Sequence, residues 1–67
     1  MPQCLFTTFD ELRTSIEGAK KILIRLNCTE KEIESNKRTQ INNFIDCSND
    51  LDELKKLETY YYNWLYN

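Results

Sequence analysis

Leu5, Phe9, Leu12, Ile16, Ala19, Leu23 and Leu26 recur at alternating steps of four and three, the spacing that lines one face of an α-helix. This seam predicts a first helix over 9–27 with a coiled-coil-like apolar face. Thr8, with Glu11 three residues on, reads as a capping box at its start. Asn27-Cys28-Thr29 ends it, and Thr29 with Glu32 repeats the box to open a second helix over 30–47. The apolar face there is sparser: Ile33, Ile41, Phe44, Ile45 and Cys47, interrupted by Lys37 and Gln40. A third helix over 49–66 follows, capped by Ser48 or Asn49, with Asp50, Asp52 and Glu53 near its positive end. Leu51, Leu54, Leu57, Tyr61, Trp64 and Leu65 supply its expected buried stripe.

The fold class implied is all-α, a single domain over 1–67 built as a small bundle of two or three helices. Apolar phase from Phe44 to Leu65 is kept across Ser48, so 29–66 can also be drawn as one long helix. Such a hairpin would need dimerisation into a four-helix bundle, whereas a compact three-helix bundle would not. With one glycine and one proline, and Pro2 terminal, Gly18 is the sole interior breaker. If it ended the first helix, the β-branched and aromatic stretches near 21–27 and 59–66 would pair as strands of an α+β fold.

Aromatic residues crowd the end of the chain: Tyr60, Tyr61, Tyr62, Trp64 and Tyr66. At about 100° per residue they spread over three helix faces, more than one neighbouring helix can cover. The division expected is Tyr61, Trp64 and Leu65 inward, with Tyr60, Tyr62 and Tyr66 left for a partner and Trp64 at the border. Ile24 lies roughly 100° off the first helix's stripe, and Ile22 sits at its opposite margin. Tyr and Trp are over-represented among interface hot spots.

Sixty-seven residues bury a modest core, so help from disulfides, a metal or a second chain is expected. Cys4, Cys28 and Cys47 are odd in number and widely spaced, which reads as reduced thiols. With no histidine and no close cysteine pair, neither a metal site, a cofactor site nor a catalytic nucleophile is expected. Met1 to Phe9 carries neither a basic region nor a long apolar run, so the expected location is cytoplasmic and Asn27-Cys28-Thr29 a chance glycosylation sequon. Net charge is −2, with Lys20, Lys21 and Arg25 clustered early and Asp46, Asp50, Asp52, Glu53 and Glu58 late. These groups can pair within the fold or between copies. A nucleic-acid-binding helical protein would use the basic cluster and the terminal rings, but Glu17 stands within helical pairing distance of Lys20 and Lys21.

Ser48-Asn49-Asp50-Leu51-Asp52 resembles the Ser-x-x-Leu-Asp signature of the helical-hairpin aspartyl-phosphate phosphatases of sporulation response regulators. The resemblance covers about a dozen residues and implies Ser48, Asn49 and Asp52 facing a phosphoryl group. It departs where that family carries Gln at the second position and a Gly-containing turn before its second helix.

The function expected from the residues themselves is non-catalytic protein binding. The chain would be a homodimeric inhibitor or adaptor, and its size and Lys, Asn and Ile content suit a phage or viral accessory protein acting on a host enzyme. Tyr60, Tyr62, Trp64, Tyr66 and Ile24 are the expected anchors, with Asp50, Asp52 and Glu53 as an acidic patch for a basic groove.

Overall fold

The chain is three α-helices in a computed structural model that describes residues 4–66, with the backbone alone of Trp64, Leu65 and Tyr66. They are α1 (Phe9–Arg25), α2 (Glu30–Cys47) and α3 (Leu51–Tyr66), and no strand occurs among the described residues. The all-α expectation holds, and the strand alternative near 21–27 and 59–66 fails because both stretches belong largely to helices. Gly18 lies inside α1 without interrupting it. The single helix drawn over 29–66 is also excluded, since Ser48 turns to extended backbone (φ −83°, ψ 130°).

Local chemistry accounts for these boundaries. Thr29 Oγ1 accepts the Glu32 N–H (3.2 Å) and Glu32 Oε1 accepts the Thr29 N–H (3.1 Å), a complete capping box. At α1 only half of the box forms: Thr8 Oγ1 accepts the Glu11 N–H (3.3 Å), while the Glu11 carboxylate takes the Thr7 and Thr8 hydroxyl groups. α1 closes in a Schellman motif. Asn27 adopts φ 59°, with the Cys28 N–H on the Leu23 carbonyl (3.0 Å) and the Asn27 N–H on that of Ile24 (3.1 Å). Asparagine is among the few non-glycine residues that enter this left-handed region readily. The cap of α3 is Asp50, one residue beyond the expected Asn49. Its Oδ1 accepts the Asp52 N–H at 2.9 Å, and Ser48 instead closes α2, its N–H on the Phe44 carbonyl at 2.9 Å.

α1 packs against both other helices, and the core gathers at its first half. Phe6, Phe9, Leu12 and Ile16 meet Ile41 and Phe44 of α2 and Leu57 and Tyr61 of α3, with Leu54 packed at the margin. The predicted seam therefore works in its middle and fails at both ends. Leu5 lies before the helix, outside its period, so Phe6 enters the core and Leu5 stays 55% exposed. Leu26 is the non-helical cap residue of α1 and is 68% exposed. Leu51, assigned to the buried stripe, is 74% exposed at the first position of α3.

The polar residues that interrupt α2 find specific places. Gln40 is buried, accepts the Ser15 hydroxyl of α1 (2.5 Å) and donates to Asn36 Oδ1 (2.7 Å), so its amide is satisfied on both sides. Lys37 Nζ stands 4.8 Å from the Tyr61 ring centroid, a cation–π contact joining α2 to α3.

Phe44 is fully buried, so Phe44→Ala should cost about 3–5 kcal/mol, enough to remove most of the stability of a domain this small. A circular-dichroism melt of the variant should show no cooperative transition. Gly18 is exposed inside α1, and an added Cβ would meet nothing within 4 Å. Gly18→Ala should stabilise by about 1 kcal/mol, read as a rise in melting temperature of several degrees.

Candidate interaction surface

The helical hairpin of α1 and α2 gives the molecule two distinguishable ends. The α1–α2 turn stands at one. The segment before α1 and the α2–α3 turn share the other, where the Leu5 N–H donates to Asn43 Oδ1 (3.1 Å) and the Phe9 N–H to Glu53 Oε2 (2.8 Å).

At the α1–α2 end, apolar side chains remain open to water. Ile22, Ile24 and Leu26 are 58%, 54% and 68% exposed, and Leu23 and Ile33 are half-buried. The cause is positional: the core residues of α1 stop at Ile16, leaving two further turns of helix beyond it. Lys20, Lys21 and Arg25 lie on the same turns of α1, all exposed. The pairing expected between Glu17 and the two lysines is not made. Glu17 Oε1 instead takes Arg13 Nη1 one turn back (3.5 Å), and among the described residues no ion pair involves Lys20, Lys21 or Arg25. On the α2 side of this end the exposed Lys31 stands among Glu30, Glu32 and Glu34, so the basic excess lies on α1.

The aromatic run divides much as its spacing implies. Tyr61 is buried, and burial pushes its hydroxyl above the usual tyrosine range. Tyr60 and Tyr62 are 55% and 56% exposed. Tyr60 is nonetheless anchored, its ring centroid 5.5 Å from Phe9 and 4.8 Å, edge-on, from Tyr61. It stands at the rim of a cleft of about 250 Å³ between the helices, floored by Ile16, Leu23, Ile33 and Tyr61. Tyr62 shares a shallow surface with Lys55, Glu58 and Thr59 instead. Helical dihedrals lapse at Tyr61 (φ −108°, ψ 20°), so the even 100° step does not carry past it. The anchoring expected of Trp64 and Tyr66, and the inward packing of Leu65, fall on side chains outside the described residues.

The acidic group separates. Asp50 and Asp52 are exposed at the α2–α3 turn, although one Asp50 oxygen is committed to the Asp52 N–H. Glu53 leaves the patch. Its side chain is only 15% exposed, accepts the Phe9 N–H and pairs with Lys56 Nζ (3.2 Å). The Phe9 N–H first, then Lys56, hold its carboxyl below the usual glutamate range. A side chain from α3 thus serves an orphan donor at the start of α1, a tertiary cap that no local spacing announces. Ser48 and Asn49 lie in the break between α2 and α3 and Asp52 in the first turn of α3, so the three do not share one helix face. Among the described residues, no group of acids and cysteines is arranged to hold a metal ion, and no helix is long and apolar enough to cross a membrane.

Because the folded-state pKa of Glu53 is lowered, its contribution is present above the unfolded value of 4.5 and is lost as pH falls through the depressed one. Glu53→Gln keeps an acceptor for the Phe9 N–H but removes the titration. Acid denaturation followed by circular dichroism should therefore be shallower below about pH 4.5 in the variant, while stability near neutrality drops through loss of the charge-assisted bond. Glu32, lowered by its bonds with Thr29, titrates in the same direction.

No family model, no curated protein and no solved structure matches the chain, so its surface alone bears on its function.

Proposed function

We propose that this protein acts by binding protein, first a second copy of itself and then a larger target that it masks or bridges, without catalysis. The observation that carries this reading is the end of α1, where Ile22, Ile24 and Leu26 are each more than half exposed and alternate with Lys20, Lys21 and Arg25, which form no ion pair among the described residues. Single exposed aliphatic residues are ordinary, but Ile22 and Ile24 flank the half-buried Leu23 on its two sides, so the last turns of α1 carry apolar surface on both margins of the stripe. Tyr60 and Tyr62 add amphipathic rings on α3.

Charge favours a second copy as the first occupant. The basic side of α1 lies at one end of the hairpin and exposed Asp46, Asp50 and Asp52 lie at the other, beside exposed Leu5 and Leu51. Two copies side by side and antiparallel set basic-apolar against acidic-apolar at both ends of a two-fold pair. Such a dimer supplies the burial that a chain of this size lacks alone. In this reading the protein is a small cytoplasmic inhibitor or adaptor.

Sedimentation equilibrium tests it directly. The wild type should populate a dimer that weakens with salt, and Ile24→Asp should raise the dissociation constant by about tenfold or more without lowering the melting temperature of the monomer. A chain that stays monomeric at millimolar concentration, or an Ile24→Asp variant that simply unfolds, counts against the proposal.

A further inference from the structure

Two of the three cysteines, forty-three positions apart, are brought together by the fold. Cys4 precedes α1 and Cys47 is the last residue of α2, and both line one cavity with Phe6, Thr7, Ser48 and Leu51. Neighbouring contacts hold them there. Leu5 is tied to Asn43, one helical turn before Cys47, and Phe6 is locked into the core with Phe44. The thiols themselves interact: hydrogen bonding with Cys4, then desolvation, push Cys47 up to about 11. All the cysteines are free thiols, and Cys28 stands at the opposite end, in the α1–α2 turn.

We propose that Cys4 and Cys47 close into a reversible intrachain disulfide by exchange with a low-molecular-weight disulfide, latching the segment before α1 onto the end of α2. The proposal stands apart from the protein-binding reading and does not depend on it.

The exposed Cys4 reacts first. Its thiolate attacks one sulfur of the small disulfide, forming a mixed disulfide and expelling one small thiolate. Cys47 then loses its proton to solvent and attacks the Cys4 sulfur. That second step forms the Cys4–Cys47 bond, breaks the mixed disulfide and releases the second small thiolate. Two protein thiols are oxidised and one small disulfide is reduced, with two protons shared between solvent and the released thiols. Once Cys4 is in the mixed disulfide it carries no negative charge, so part of what disfavours the Cys47 thiolate is removed. Two thiols that line one cavity are placed for the sulfurs to approach bonding distance. The closed loop spans both α1 and α2, so it restricts most of the unfolded chain.

The test is to incubate the reduced full-length protein with oxidised glutathione at mildly alkaline pH, then label free thiols with a maleimide and read intact mass and peptide maps. The expected product is a monomer lighter by two hydrogens, with one label, on Cys28. Its melting temperature should rise on the order of 10 °C and return on adding dithiothreitol. Cys4→Ser and Cys47→Ser should each give neither the mass loss nor the rise, and Cys47→Ser should retain a glutathione adduct on Cys4. Stable glutathione adducts on Cys4 and Cys47 together, a bond that involves Cys28, or predominantly cross-linked dimers overturn the proposal.

Discussion

The docking of α3 onto Phe9 is the joint on which this small molecule depends. Phe9 meets α3 twice: its ring lies against Tyr60 and Tyr61, and its N–H is held by the Glu53 carboxylate. Those contacts are two turns apart on α3, with Leu57 buried between them, so one residue of α1 fixes both the position and the axial register of a whole helix. The two interactions also protect each other. Water excluded by the rings strengthens a charge-assisted bond at the edge of the core, and the bond keeps the rings in place.

From that joint the rest of the surface follows. Because α3 is anchored at the first turn of α1, the tightly buried core ends at Ile16 and the last turns of α1 run on without full cover. Ile22, Ile24 and Leu26 are exposed for this reason, which is geometric and not a failure of amphipathic pattern. The same end brings the chain before α1 against the end of α2, where Phe6 contributes to the core and Cys4 and Cys47 line one cavity. Core, open end and thiol pair are thus three consequences of how three helices share one short buried face.

Polar residues are used here with economy. Gln40 is an apparent defect in the face of α2, yet it carries two side-chain hydrogen bonds, one across to Ser15 of α1. Lys37, the other interruption, lies over the Tyr61 ring. A buried amide with both ends satisfied costs little and fixes register between helices, which a slippery aliphatic contact does less well. Arg13 shows the converse: by taking Glu17 it withdraws the acid expected to neutralise Lys20 and Lys21.

What the linear sequence determined by itself is most of what has a period or a local cap, although the cap of α3 fell one residue past the expected Asn49. Steps of three and four residues define the helices, Thr8 and Thr29 start two of them, and Asn27 stops one, because these signals act within a single turn of chain. The spacing likewise separated Tyr61 from Tyr60 and Tyr62, since a helix converts position directly into direction. Tertiary structure decided the matters that need residues distant in sequence. It committed Glu53 to Phe9 and took it from the acidic patch; it placed Phe6, not Leu5, in the core; it stranded Leu26 and Leu51 in water; and it set Cys4 and Cys47 at one cavity. Helical periodicity states which face is apolar, but not how far along the helix a neighbour extends to cover it. That length is set only when α3 comes to rest on α1.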